Sequence, residues 1–196
     1  MQMLWFANRG SGVVLVALLT LSTALGIVAT VRAGTSRWPR FATQALHRNV
    51  SLISAGLMVL HAVVAKLDTY VDLTWLDIVV PIQGNYAAKH RLGLFLGAIA
   101  FDVIFVVIVT SLLRHRMGHK TWRGIHLFAY VSWAAGLVHG MVLGTDAYTA
   151  WSLSVTILSV AVVAGAGIVR IATWAHERRL HADTMPLTSE TAGGVL

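Results

Sequence analysis

The chain has 196 residues, 57% of them hydrophobic and 12% charged, with a mean hydropathy of +0.72. A soluble domain carries about 25% charged residues, and one globular core of this length could not bury so much apolar surface, so the composition points to an integral membrane protein. The absence of cysteine excludes disulfides, thiolate metal sites, iron–sulfur clusters held by cysteine and covalent haem attachment. The net charge of +7 comes from short loops and sets topology rather than marking a nucleic-acid surface.

A helix needs roughly 20 apolar residues to cross the hydrocarbon. Five segments reach that length: Ser11 to Val31, His47 to Leu67, Leu92 to Leu113, Trp122 to Leu143 and Trp151 to Trp174. The first resembles a signal peptide, with Arg9 before an apolar run, but cleavage would strand the next basic cluster on the wrong side, so it is read as a span. Arg32, Arg37, Arg40 and Arg48 follow the first span, Arg114, Arg116, Lys120 and Arg123 the third, and Arg178 and Arg179 the fifth. The loops after the second and fourth spans are acidic instead, with Asp68, Asp72, Asp77 and Asp146. By the positive-inside rule the basic loops and the C-terminus are cytoplasmic and the N-terminus is outside. The expected fold is therefore an all-α bundle of five transmembrane helices over residues 1–175 in a cell membrane. A tail over 176–196, polar from Asp183 onward, is expected to be disordered. Leu73 to Gly84 is too short to cross and reads as an interfacial piece ending near Pro81.

Four of the nine histidines lie at the ends of spans two and four: His47 and His61, 14 apart, and His126 and His139, 13 apart. At 1.5 Å per residue each pair is separated by about 20 Å along its helix. Spans two and four run in the same direction, so His47 and His126 share one depth near the inside, and His61 and His139 share another near the outside. Two imidazoles at one level on neighbouring helices can bind an iron from opposite sides, which is bis-imidazole ligation of haem b. Two such levels give two haems between spans two and four and a path for electrons. Intramembrane histidines are rare and usually functional, and a bare metal transporter would gather its ligands near one midplane site. Fourteen residues put His47 and His61 about 40° apart on a helix, but thirteen leave roughly 140° between His126 and His139. The fourth helix is therefore expected to bend or widen near Gly136 or Gly140, or else the haems must approach it from different sides.

These paired histidines resemble the ferric reductase-like transmembrane domain family, which includes the membrane parts of NADPH oxidases and ferric-chelate reductases and the haem-binding subunit of the methionine sulfoxide reductase system. NRGSGVVLVALLTLSTALG is similar to the family's segment before the first haem helix, and VHGMVLGTDA to endings of bacterial members. The resemblance covers about residues 3 to 175. It departs from the family in having five spans where the usual core has six, and in lacking a nucleotide-binding domain after the last span, since no GxGxxG follows a strand. It implies single-electron transfer across the membrane, from a cytoplasmic-side donor to an outer acceptor such as a ferric chelate, oxygen or a partner protein. The donor would be a separate reductase or a membrane quinol, and a noncovalent flavin at the cytoplasmic side is left open. The alternatives are a quinone-linked cytochrome b anchoring a periplasmic oxidoreductase, and a haem-free scaffold or transporter.

Further residues are candidates for roles around the haems. Arg48 and Arg123 adjoin His47 and His126 and suit inner-haem propionates. Arg9, Lys66 and Tyr70 are candidates for outer-haem propionates, and His90 and Arg91 for an acceptor site. Asp102, mid-span in AIAFDVIF, is either a proton relay or a neutral acid hydrogen-bonded to a Ser, Thr or Trp of the next helix. The tryptophans near span ends are expected to form an interfacial belt.

Overall fold

The structure is a computed structural model that describes residues 2–31, 39–68, 73–80, 86 and 88–183. Among the described residues every regular element is helical: α1 (Gln2–Ala29), α2 (Arg40–Leu67), α3 (Trp75–Val79), α4 (Ala88–Leu112), α5 (His119–Leu127), α6 (Ala129–Leu143) and α7 (Ala150–Asp183), with a 3-10 turn at Arg114–Arg116. Five helices are long and apolar enough to cross a membrane: Met3–Ala29, Phe41–Leu67, His90–Leu112, Ala150–Leu180, and His119–Leu143 with α5 and α6 taken together.

Helix ends follow local chemistry rather than the edge of the apolar run. α1 begins nine residues before the expected start, so Asn8 and Arg9 are helical. Its 27-residue span is about 40 Å long, enough for the hydrocarbon and both headgroup layers. α2 starts directly after Pro39, which sits in extended backbone with its φ held by the ring, and Lys66 occupies its last turn, where a cation suits the helix dipole. α7 runs through 34 residues. The expected disordered tail over 176–196 is thus corrected: residues 176–183 continue the helix, because HERRLHA is rich in good helix formers, and the Arg178 guanidinium lies 4.1 Å from the Trp174 ring centre. The rest of that tail, with Arg32, Arg37, Tyr70, Asp72 and Pro81, lies outside the described residues.

The expected interfacial piece is the five-residue α3. Thr74 caps it, with its hydroxyl accepting from the Asp77 N–H while the Asp77 carboxylate accepts from the Thr74 N–H at 2.8 Å. Burial pushes the Asp77 carboxyl up, but bonds from the Thr74 side chain and backbone and the Tyr86 hydroxyl outweigh it and hold the group below the usual carboxylate range. Trp75, Leu76 and Val79 face outward.

The fourth span is interrupted, but not at its glycines. α6 runs unbroken through Gly136 and Gly140, and the break falls at Phe128. There the Phe128 N–H donates to the Ile125 carbonyl at 3.0 Å, a bond across three residues instead of four. Glycine allows a bend without requiring one, whereas two anchors to α4 flank Phe128. On one side Trp122 and His126 meet Ser111; on the other the fully buried Ser132 donates to the Ala100 carbonyl at 2.7 Å. A three-residue turn advances about 120° per residue rather than 100°, which rotates His139 forward, the sense that reduces its mismatch with His126.

α1 packs mainly on α2, and α4 on α6. Both pairs are antiparallel: Gly12 meets His61 and Gly26 meets His47, while Gly97 meets His139 and Ser111 meets His126. The core of Leu15, Leu19 and Met58, packed against Phe101, Ile104 and Trp133, lies where the two pairs meet. By sequence every one of these residues falls between the two histidine levels, so an apolar layer separates them. α7 leans on α1 and turns most of its large apolar side chains outward. The end carrying Arg114 to Arg123 is called inner below, and the opposite end outer.

Candidate functional site: two facing histidine pairs

α2 carries one histidine of each pair, and the α5–α6 rod carries the other. His47 and His126 face each other with ring centres 6.1 Å apart and planes at 79°. His61 and His139 do the same at 6.4 Å and 85°. A metal–nitrogen bond of about 2 Å on each side, plus about 1.1 Å from each ring nitrogen to its ring centre, gives a separation of about 6.2 Å. Both gaps therefore match one metal ion held between two imidazoles.

Each ring is tied at Nδ1 by a neighbouring helix. His139 Nδ1 donates to the Gly93 carbonyl at 2.7 Å, and His47 Nδ1 to the Ser22 carbonyl at 2.9 Å. A carbonyl has no proton to give, so both rings carry their proton on Nδ1 and keep the Nε2 lone pair free. His61 is fixed by a relay: Ser11 donates its hydroxyl proton to the Asn8 carbonyl at 2.9 Å and so must accept from His61 Nδ1 at 3.0 Å. His126 differs. Its Nδ1 lies 3.3 Å from Ser111 Oγ, which also accepts from Trp122 Nε1 at 3.4 Å, and the hydroxyl can either donate to that Nδ1 or accept from it, so no tautomer is forced. A ligating histidine ordinarily donates its other N–H to a carbonyl, carboxylate or water, which fixes its tautomer and orientation. His139 and His47 meet that condition directly, and His61 meets it through the Ser11 hydroxyl, whose own proton goes to the Asn8 carbonyl.

Glycines make room for three of the rings. A Cβ at Gly12 or Gly26 would stand 3.2 Å from Cε1 of His61 or His47, and one at Gly97 would stand 2.6 Å from His139 Nδ1. Gly12 and Gly26 are 14 residues apart, the same interval as His47 and His61 on the antiparallel neighbour. That matched interval was present in the sequence and identifies α1 as the partner of α2. Ser11, Ser22, Ser111 and the Gly93 carbonyl carry no comparable signal, because serine is common in these spans and a carbonyl belongs to every residue.

The outer pair opens into a cavity of about 320 Å³, within the range of organic-ligand sites. Arg9 and His90, both singled out from the sequence, line it together with Asn8, Trp5 and Asp77. The Arg9 guanidinium pairs with Asp146 and the Thr145 hydroxyl and lies 5.1 Å from the Trp5 ring centre. Arg9 Nε and Asn8 Oδ1 are buried without a hydrogen-bond partner among the described residues. A buried donor left free beside two imidazoles suits the carboxylate of a bound cofactor.

The other candidates are not gathered there. Lys66, Arg91 and Asp102 are absent from the cavity lining. Arg91 is exposed and reaches the Tyr86 carbonyl at 3.5 Å. Asp102 is half-buried, and among the described residues no Ser, Thr or Trp bonds to it. Arg48 and Arg123 are exposed at the inner end. Among the described residues, no three His, Asp or Glu side chains converge on one point.

Fold and site together define an all-helical protein with five helices fit to cross a membrane and two stacked pairs of opposed histidines. Residues 3–146 match the family described as Domain of unknown function (DUF8596), and the chain belongs to that family. No curated protein matches it.

Proposed function

We propose that the protein is a membrane-embedded cytochrome with two haems b, passing single electrons between the two faces of the membrane. His47 and His126 would hold the inner haem, and His61 and His139 the outer. The observation that carries this reading is the geometry of the pairs: two imidazole–imidazole gaps close to 6.2 Å, with all four Nδ1 atoms engaged by neighbours. A pair of histidines is too few for a bare ion, which takes four or more ligands, but suffices where a porphyrin supplies the remaining nitrogens.

Bound there, haem iron supplies a one-electron couple at each level. The chain does the rest. Gly93, Ser22 and Ser11 hold the imidazole protons on Nδ1, so that Nε2 faces its ligand unprotonated. Gly12, Gly26 and Gly97 leave room for the rings. Arg9 offers an unengaged N–H to a carboxylate at the outer level. Leu15, Leu19, Met58, Phe101 and Ile104 keep water out of the layer between the levels. Charge asymmetry between the loops supports a cell-membrane location with the Arg114–Arg123 end in the cytoplasm. Electrons then come from a separate reductase inside and leave to an acceptor outside.

The quinone-linked reading draws on a separate observation. The outer cavity pairs apolar walls with His90, a combination that suits an amphipathic molecule giving up protons as it is oxidised.

The test is the absorption spectrum of the purified, dithionite-reduced protein. Low-spin b-type bands at two haems per chain support the proposal, and well-folded protein without haem contradicts it. Mixing the reduced protein with a quinone analogue or a ferric chelate and following reoxidation separates the two readings.

A further inference from the structure

The inner end presents Arg48, Arg114, Arg116, Lys120 and Arg123, all exposed, and no acidic residue occurs between Leu113 and Leu127. Positive-inside topology accounts for the charges. It does not account for Trp122. An anchoring tryptophan turns its ring to the headgroups, but Trp122 is half-buried and stacks on His126, with ring centres 5.1 Å apart and planes within 29°. Its Nε1–H donates to Ser111 Oγ, the same atom that meets His126 Nδ1, so ring and hydroxyl hold the histidine together. On its other side the exposed His119 lies 5.7 Å from Trp122. An unbroken row of aromatic rings thus leads from the basic surface to one ligand of the inner pair. The outer pair has no such stacked tryptophan among the described residues.

We propose that this basic surface is the docking site of an acidic one-electron carrier protein, and that Trp122 is the point where its electron enters. The inference rests on the di-haem reading. The carrier would give up one electron and be oxidised, and the haem that His47 and His126 would hold would take it up and be reduced, with no bond or proton changing hands. Complementary charge steers such encounters and makes them steeply dependent on salt. Trp122 acts through His126 and is a positioning residue as well as a conduit.

Flavodoxin, an acidic one-electron carrier, is the probe. Binding of oxidised flavodoxin to the full chain in detergent is measured as a Kd at low and high salt, which needs no haem. The expected result is saturable binding at low salt, weakened at least tenfold by the Arg116→Glu/Lys120→Glu pair and by added salt. Reduction of the haems is then followed with flavodoxin and, separately, with the small methyl viologen radical cation. The charge-reversed pair should slow flavodoxin at least tenfold without slowing viologen. Trp122→Leu should slow flavodoxin about tenfold with the flavodoxin Kd unchanged, and Trp122→Phe should recover most of the rate. Absence of saturable binding, binding indifferent to the charge reversal, or equal slowing of both reductants in Trp122→Leu would overturn the proposal. A wild-type chain without haem bands overturns the di-haem reading instead, which keeps the two failures distinct.

Discussion

The two histidine levels are built from the same parts to different tolerances. At the outer level both tautomers are forced, His139 by a carbonyl at 2.7 Å and His61 by a serine whose own proton is already given away. A cavity surrounds that pair, and a Cβ at Gly97 would strike His139. At the inner level His47 is forced, but His126 shares a hydroxyl with Trp122 across 3.3 and 3.4 Å. At the outer site both Nδ1 protons are thus assigned, by one backbone carbonyl and one serine, while at the inner site the Nδ1 of one ligand, held by Trp122 and Ser111 next to the basic surface, has no forced tautomer.

The largest expected effect comes from removing a ligand. His139→Ala should abolish the outer haem and leave the inner one, halving the reduced b-band absorbance, and His126→Ala should do the converse. Loss of both haems from either change would show that the levels are not independent. Next comes the steric test. Gly97→Ala puts a methyl group where His139 Nδ1 is pinned to Gly93, so neither ring nor carbonyl can yield cheaply. It should cost most of the outer haem, whereas Gly12→Ala, whose methyl would stand 3.2 Å from His61 Cε1 and asks that ring to shift by only a few tenths of an ångström, should cost less. Equal haem content in the two variants would contradict the asymmetry in tolerance.

A smaller effect separates the two serines. Loss of a partner that orients a ligand weakens binding by about 10–100-fold. Ser11→Ala should fall in that range for the outer haem, and Ser111→Ala should fall below it, because His126 is not forced; haem release to apomyoglobin measures both. The smallest effect is at α3. Asp77 has a folded carboxyl pKa below its unfolded value, so its contribution is fully present above the unfolded pKa and is lost as pH falls through the folded one. Asp77→Asn should therefore lower thermal stability near neutral pH by about 1 kcal/mol, the usual worth of a helix cap, and the difference from wild type should vanish in strong acid.

Much of this architecture was legible in the sequence. Apolar length and Lys/Arg distribution delimit five helices because hydrocarbon thickness and headgroup charge impose them directly. The intervals 14 and 13 pick out the four rings that face one another in pairs, and the mismatch at His126–His139 called for an irregularity in the fourth span or for different approach sides; the helix is interrupted at Phe128. The position of that interruption was not legible: Gly136 and Gly140 carry the local signal, but the break is set by Ser132 and Ser111 anchoring to α4, a tertiary constraint. Arg9 and Asp146 are far apart in sequence, so their pairing was hidden, as was the helical start of the tail, where good helix formers sit among charges. The partners of Nδ1 were invisible for a simpler reason: two of them are backbone carbonyls.

The most direct measurement of the central claim is low-temperature electron paramagnetic resonance of the oxidised protein, with haem counted per chain. Two imidazoles on each iron with planes near 79° and 85° predict two low-spin ferric centres of strongly anisotropic type, and two haems per chain. A single haem, a high-spin five-coordinate signal in the wild-type chain, or folded protein carrying no haem would contradict it.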